Sequence, residues 1–401
     1  MKVAWLIQNL VPYHHARFEA FSRREGIDGH LIQVTDRDSF GILEFKPERR
    51  SYDLHTLFAG RDRSSISPAE LQDELEKTLS TIGPDCVCAS GWGMEIGWQI
   101  QAWALGNHVP VVMFSESTSY DEERRRGKEW IKSRLVKACG AALVGGTPHK
   151  EYICNLGMSP DSVFLGHNAV DGSHFAAESV SRPPTLPEWL ERESYFVCCT
   201  RFGEKKNLPR LVRAYAQYAG RCESEGKNAC KLVIAGDGDL RAEIEQTIAV
   251  EKITDRVVLL GAVGYDSLPW LYQHSRAFIH ASTTEQWGLV VNEAMAAGAP
   301  VLVSNRCGCA VDLVQDGVNG FQFDPYSERD IADALWRFEA LEEHERQAMG
   351  MASRRIIADW TPDRFANGLG LAVDRALHAK IHRHATTARW TIRLLLAKEG
   401  R

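Results

Sequence analysis

No run in the 401 residues approaches the ~18 consecutive apolar side chains that a membrane-spanning helix needs. The opening Met1-Lys-Val-Ala-Trp-Leu-Ile-Gln is too short an apolar run for a secretory signal and carries no small-residue cleavage site. Positive charge is not in excess: 47 Lys and Arg face 53 Asp and Glu, a net charge of -6, so nucleic acid is not the expected partner. Among ten cysteines, none makes a Cys-x2-Cys pair followed by a second pair, so no zinc site is expected. Cys86-Val-Cys88 and Cys198-Cys199 lie in apolar runs and read as small buried hydrophobes. These absences together predict a reduced, cytoplasmic protein. Gly-x-Gly-x-x-Gly is missing after the first apolar run, where Ile7 is followed by Gln8-Asn-Leu, which argues against a nicotinamide-dependent oxidoreductase. No repeat of solenoid period is visible.

What is present is ordinary for a globular chain: 44% hydrophobic and 25% charged residues. The length suggests two or three domains at roughly 100–200 residues each. Short apolar runs alternate with longer amphipathic ones, the mark of parallel sheets covered by helices. Strands are predicted at Val3–Ile7, Leu31–Val34, Cys86–Ala89, Val109–Phe114 and Ala141–Val144, with a helix over Met94–Leu105. A looser stretch, Ser181 to Pro187, holds three prolines and reads as a linker. The pattern then restarts, with strands at Tyr195–Thr200, Lys231–Ala235, Val257–Leu260, Ala277–His280 and Pro300–Ser304. Between them the helices are predicted at Leu208–Ala219, Leu240–Ala249, Ser267–Tyr272 and Leu289–Ala297. Two such α/β units predict a ligand in the crevice between them, near the carboxyl ends of strands.

The most informative stretch runs from Glu285-Gln-Trp287-Gly288-Leu289 through Glu293-Ala-Met-Ala-Ala-Gly298 to Pro300. A strand ends at His280, Gly288 allows close backbone approach, and a helix begins near Leu289. The free N–H groups and dipole of that helix start make an anion site. Glu293 follows Glu285 by eight residues, so both carboxylates can face one pocket. After an earlier strand comes Arg201-Phe-Gly-Glu-Lys205-Lys206-Asn207, whose cations suit a phosphate pair, Lys205 competing with Lys206.

Together these motifs resemble family 4 of the retaining glycosyltransferases, with its Glu, seven residues, Glu and a small-residue helix ending Gly-x-Pro-Val. The resemblance implies a GT-B fold, α/β, with two Rossmann-like doubly wound parallel-sheet domains facing an interdomain cleft. It divides the chain into an acceptor domain over 1–178, a donor domain over 179–360, and C-terminal helices over 361–401 crossing back to the first. The implied activity is transfer of a sugar from a nucleotide-sugar, UDP in preference to GDP, to a hydroxyl of a saccharide or glycolipid. A non-catalytic binding protein and an epimerase or phosphorylase of the same fold are the alternatives.

By this resemblance Arg201 and Lys206 hold the leaving diphosphate, with the helix start after Trp287, Gly288 and Leu289. Glu285 holds donor-sugar hydroxyls and Glu293 the ribose. Val263 lies in the loop under the base, Gly236 in a structural Gly-x-Gly turn, and Ser304 in a loop closing over the pyrophosphate. Asp239 is expected to cap the following helix. Catalysis is expected to need neither metal nor other cofactor. In the acceptor domain the family's Gly-Gly pair is missing, and Tyr13, His14 or Arg17 can take its place. Ser115 stands where many members carry a sugar-contacting His, with Glu116 beside it. Asn168-Ala-Val170-Asp171 and Phe175 match the family's entry into the linker, and Trp360 to Phe365 its closing helix. The basic stretch Arg124–Lys137 and the tail from Lys380 through Trp390 to Arg401 are cationic and amphipathic, fit for peripheral contact with an anionic membrane.

Overall fold

The computed structural model describes residues 1–37, 45–176, 181–379 and 382–399. Glu178 and Ser179, at the expected domain border, and Lys380 and Arg401, at the ends of the basic tail, lie outside the described residues. Contacts divide the chain into one unit of Met1–Val170 with the segment from Pro362 onward, and a second of Asp171–Thr361.

The first unit holds strands β1 (Lys2–Ile7), β2 (Asp28–Gln33), β3 (Asp53–Thr56), β4 (Cys86–Ser90), β5 (Val111–Ser115), β6 (Ala141–Val144) and β7 (Val163–Leu165). Its helices are α1 (Pro12–Ser22), α2 (Pro68–Ile82), α3 (Glu95–Gly106), α4 (Arg126–Lys137) and α5 (Thr147–Asn155). The second unit begins with α6 (Gly172–Ala176). It holds strands β8 (Tyr195–Cys199), β9 (Lys231–Ala235), β10 (Val257–Gly261), β11 (Ala277–His280), β12 (Val301–Ser304) and β13 (Gly320–Phe323). Between and after them run α7 (Leu208–Ser224), α8 (Arg241–Val250), α9 (Leu268–Gln273), α10 (Leu289–Ala297), α11 (Ala310–Leu313), α12 (Glu328–Glu339) and α13 (Glu343–Ile357). Helices α14 (Pro362–Leu377) and α15 (His382–Glu399) belong to the first unit.

Both sheets are parallel throughout the pairings observed. The order is β3-β2-β1-β4-β5-β6-β7 in the first and β10-β9-β8-β11-β12-β13 in the second. Alternation along single strands shows why each sheet needs two helical layers. Ala4 and Leu6 of β1 enter one core, while Val3, Trp5 and Ile7 enter another. In β8, Phe196 and Cys198 face one core, and Tyr195, Val197 and Cys199 the opposite one. A strand buried on both faces must read as an unbroken apolar run, which is what made these strands visible in the sequence. The ten cysteines are all unpaired, and nine are buried in these layers.

The chain order reverses direction between β1 and β4 and again between β8 and β11. In an open parallel sheet such a reversal leaves a crevice at the carboxyl ends of the two strands, where loops diverge to opposite faces. The second of these reversals positions the residues described next. Among the described residues, no helix is long and apolar enough to cross a membrane.

Candidate functional site

Lys206 lies in the turn after β8, and Glu285 in the loop after β11, the two strands that flank the reversal. The Lys206 ammonium donates to Glu285 Oε2, a direct ion pair whose partners are 25% and 20% exposed. His280, which closes β11 and is almost fully buried, brings Nε2 within 3.3 Å of the same carboxylate oxygen. The Ser282 hydroxyl lies 3.0 Å from that nitrogen. Burial pushes the Glu285 pKa up, but the His280 contact and the Lys206 charge outweigh it and hold the group at about 2. The same burial lowers the His280 pKa, and the imidazole Nδ1 has no hydrogen-bond partner. Glu285 is thus ionised at any ordinary pH, beside one full cation.

The loops that carry this pair are fixed to one another. Asn207, with φ of 60°, turns the chain from the Lys206 turn into α7. Its amide donates to Ala281 O at 3.0 Å and Pro325 O at 2.8 Å, tying three loops together. Thr283 N donates to Lys205 O at 2.9 Å, so Lys205 contributes its carbonyl to the same seam. The 285–287 loop pairs with the loop after β12: Gly308 N donates to Glu285 O at 2.9 Å and Cys309 N to Trp287 O at 3.1 Å. Ser304 Oγ accepts from Arg306 N at 3.0 Å and shapes that second loop.

Gly288 has φ of +103°, and a Cβ there would come within 3.4 Å of Glu285 Cγ and 3.5 Å of Cys309 Sγ. Those are ordinary contacts, so it is the left-handed backbone that calls for glycine here. Gly288 precedes Leu289 at the start of α10, where no side chain caps the helix and Val291 N turns back to Gly288 O at 2.9 Å, so the dipole end faces the loop uncapped by a side chain. The Trp287 side chain points into the core, 2% exposed, with Nε1 donating to Asn292 Oδ1 at 2.8 Å and its ring 4.9 Å from that of Trp360. Ligand contact at Trp287 therefore falls to its backbone.

Glu293, one turn into α10, is held apart from the Lys206–Glu285 pair by a different partner, the Tyr272 hydroxyl, which donates to Oε2 at 3.1 Å. Burial raises its pKa to about 7, and the tyrosine offsets only part of that. The folded chain therefore holds this proton more tightly than the unfolded chain does. Stability from this group is greatest below pH 4.5 and declines as pH rises to about 7. Glu293→Gln is expected to be about 1–3 kcal/mol more stable than the parent at pH 8 and to lose that decline. Denaturant melts at pH 5 and pH 8 check this, and equal stability of the two proteins at pH 8 would refute it.

Arg201 is exposed on the loop after β8, and its carbonyl accepts from Gly203 N at 3.0 Å. Behind that loop Gly236 has φ of +137°, and a Cβ would lie 1.8 Å from Thr200 O, so the turn after β9 can close only on glycine. Asp239 does not cap α8, whose N-terminus has no side-chain cap. The nearby Asp237 carboxylate instead accepts from Gly238 N at 2.8 Å and from Arg241 Nε at 3.0 Å. Val263 packs half-buried at the edge of the core.

In the first unit, a second polar cluster gathers at the carboxyl end of the sheet. Arg17 of α1 is 1% exposed, donates Nε to Ala169 O at 2.8 Å, lies 4.9 Å from the centre of the Tyr13 ring, and has no partner for Nη2. Burial lowers its pKa to about 10, against the pull of Glu116. Burial and the Arg17 charge drive His14 down to about 3. Glu116 is held at about 2 because His167, 3.6 Å away, and Arg17 overcome its desolvation. Ser115 is 5% exposed, its hydroxyl accepting from Ser117 N at 3.4 Å. His167 was not singled out in the sequence, though the Asn168 segment beside it was.

In the basic stretch that leads into and forms α4, several cations are paired within the chain. Arg124 donates to Asp121 and to Thr118 O and stacks 4.2 Å over the Tyr152 ring. Lys132 is buried between Glu122 at 2.6 Å, Glu129 at 3.1 Å and the Tyr152 hydroxyl at 3.1 Å. Arg125 pairs with Glu123 at 2.9 Å.

Comparison with known proteins bears on the second unit above all. Residues 187–355 match the family described as glycosyl transferases group 1. An uncharacterized glycosyltransferase of Methanocaldococcus jannaschii is 35% identical over 189 residues, 46% of this chain and 46% of that protein. The chain thus spans about half the length of that relative. A GDP-mannose-dependent alpha-(1-6)-phosphatidylinositol monomannoside mannosyltransferase of Mycobacterium tuberculosis is 27% identical over 331 residues, 79% of this chain and 74% of the relative. Among solved structures, Anabaena HepE in complex with UDP and glucose matches with a TM-score of 0.70 at 17% identity, covering 92% of this chain and 98% of that one. That likeness is one of fold, the GT-B fold of two parallel-sheet Rossmann-like units. The match to the glycosyl transferases group 1 lies wholly within the second unit, Asp171–Thr361.

Proposed function

We propose that this protein transfers a sugar from a nucleoside diphosphate sugar, UDP in preference to GDP, to a hydroxyl acceptor, with retention at the anomeric carbon. The observation that carries the reading is the Lys206–Glu285–His280 cluster beside the uncapped start of α10. A fixed cation and the positive dipole end of a helix without a side-chain cap suit a diphosphate whose charge grows as the glycosidic bond breaks. Arg201 is the second cation in this scheme, and these groups supply the positive charge, so the reaction needs no metal. Glu285 accepts from donor-sugar hydroxyls, and Glu293 from the ribose diol. Both acts are best served by an ionised carboxylate, so ribose binding draws the Glu293 proton away.

The names of relatives support the substrate class and divide on the base: one is GDP-mannose-dependent, and one fold neighbour was solved with UDP and glucose. In the first unit, Arg17 and Glu116 are the groups that would meet the acceptor, a saccharide or glycolipid. For a glycolipid, peripheral attachment at the cytoplasmic membrane face would fall to the exposed Trp390 and Leu394 of α15, with Arg393 and Lys398.

Thermal stabilisation by UDP, GDP, ADP and NAD tests the reading. A ligand at 100 times its dissociation constant stabilises the fold by about 2.7 kcal/mol. UDP is expected to raise the melting temperature most, through the second unit. No shift with any nucleoside diphosphate would return the chain to a non-catalytic role.

A further inference from the structure

Strand β3 forms one edge of the first sheet, with β2 beside it, and the residues considered next belong to neither polar cluster described above. The parallel register of the two strands sets His30 opposite Asp53, and His55 two residues on, so the three side chains share one face. His30 Nδ1 lies 3.2 Å from His55 Nε2 and 3.8 Å from Asp53 Oδ2, and one ligand atom from each residue lies within 4.8 Å of the others. On the far side of the His30 ring, Nε2 is buried without a hydrogen bond, with Asp28 Oδ1 3.4 Å away. Nothing in the linear order marks this group, because the two histidines are 25 residues apart and obey no metal-ligand spacing.

We infer that His30, His55 and Asp53 form a binding site for a divalent cation of the zinc class, which ties edge strand β3 to β2. The geometry supports this in three ways. Bonds of about 2.0–2.1 Å from a tetrahedral ion put ligand atoms roughly 3.3 Å apart, and the two imidazole nitrogens already stand at 3.2 Å. Asp53 is 73% exposed, so a rotamer change brings its oxygen in without moving the core. Asp28 stands behind His30 as the outer carboxylate does behind a metal-bound imidazole. It would hold the proton on Nε2 and leave the Nδ1 lone pair for the ion. Two histidines and a carboxylate exclude the hard, all-oxygen preference of calcium and magnesium. The ion has a structural part here. β3 has four residues and only β2 beside it, and a clip across that pair joins the sheet's weakest edge to its interior.

The test is a Co2+ titration of the full-length protein without a histidine tag, followed by displacement with Zn2+. The expected result is one equivalent bound, with visible d–d bands and no thiolate charge-transfer band. Affinity is expected to fall about 10–100-fold in Asp53→Asn and in His55→Gln, and about tenfold in Asp28→Asn. Far-UV circular dichroism accompanies each variant. Should His55→Gln fail to fold, Asp53→Asn alters only an exposed carboxylate and decides the matter. No visible band at molar excess of Co2+, a thiolate band, or unchanged affinity in Asp53→Asn would overturn the site and leave the two histidines as a hydrogen-bonded pair.

Discussion

Glu285→Gln is expected to lower sugar transfer by at least about a hundredfold while nucleoside diphosphate binding stays intact or tightens. The first half follows from the sugar-binding role proposed for Glu285. A carboxylate that orients sugar hydroxyls sets the attack geometry, and small misplacements there cost about that factor. The second half follows from the ion pair. In the present structure the Lys206 ammonium is neutralised by Glu285, so a diphosphate must compete for it. Glutamine keeps the shape and removes the competitor. Transfer kinetics with saturating donor, beside calorimetry with the free diphosphate, separate the two effects. A variant that transfers normally, or one that folds yet has lost the nucleotide, contradicts the assigned role.

Lys206→Met has the opposite signature. On the proposed reading it removes the cation that would meet the diphosphate, and it strands Glu285 beside the His280 imidazole. Nucleoside diphosphate affinity is expected to fall by about 30-fold or more, as when one partner of a buried charge pair is truncated. Transfer should fall by about 10²–10³-fold. Stability drops as well, because an ionised carboxylate is left without its cation. Adding Glu285→Gln in the same chain should recover most of that stability and none of the transfer. This double variant distinguishes a residue that supports the fold from one that handles substrate. Full activity in Lys206→Met would shift the diphosphate to Lys205 and Arg201.

Most of the sheet strands could be read from the sequence because they are apolar on both faces. Ala141–Val144, Lys231–Ala235 and Ala277–His280 fall where expected, to the residue. The strand Asp53–Thr56 could not be read, because Asp-Leu-His-Thr at a sheet edge has one apolar side chain and no run. Gly320–Phe323 was missed for a similar reason, being four residues beside a turn. At the site, Lys206, Glu285, Gly288 and Glu293 announced themselves by spacing along the chain. His280 did not, although it closes an apolar strand with a polar side chain, which is the one signal that could have marked it. Asn207 closes a legible loop motif, but its bonds to Ala281 and Pro325 depend on segments 74 and 118 residues away. Contacts of that kind are set by strand order, which periodicity does not carry.

The first unit is built from two pieces of chain, and this has a consequence for its manufacture. Phe365, Leu369 and Val373 of α14 share a core with Val3, Trp5 and Leu31 of the first two strands. On the ribosome, synthesis proceeds at about 5–20 residues per second, and domains tend to fold as they emerge. The face of the first sheet that α14 covers must therefore wait until the segment from Pro362 has been translated. The second unit, whose residues run without interruption, can mature first. Truncation shortly before Pro362 would thus leave the later-encoded half able to fold and the earlier-encoded half exposed to chaperones and proteases.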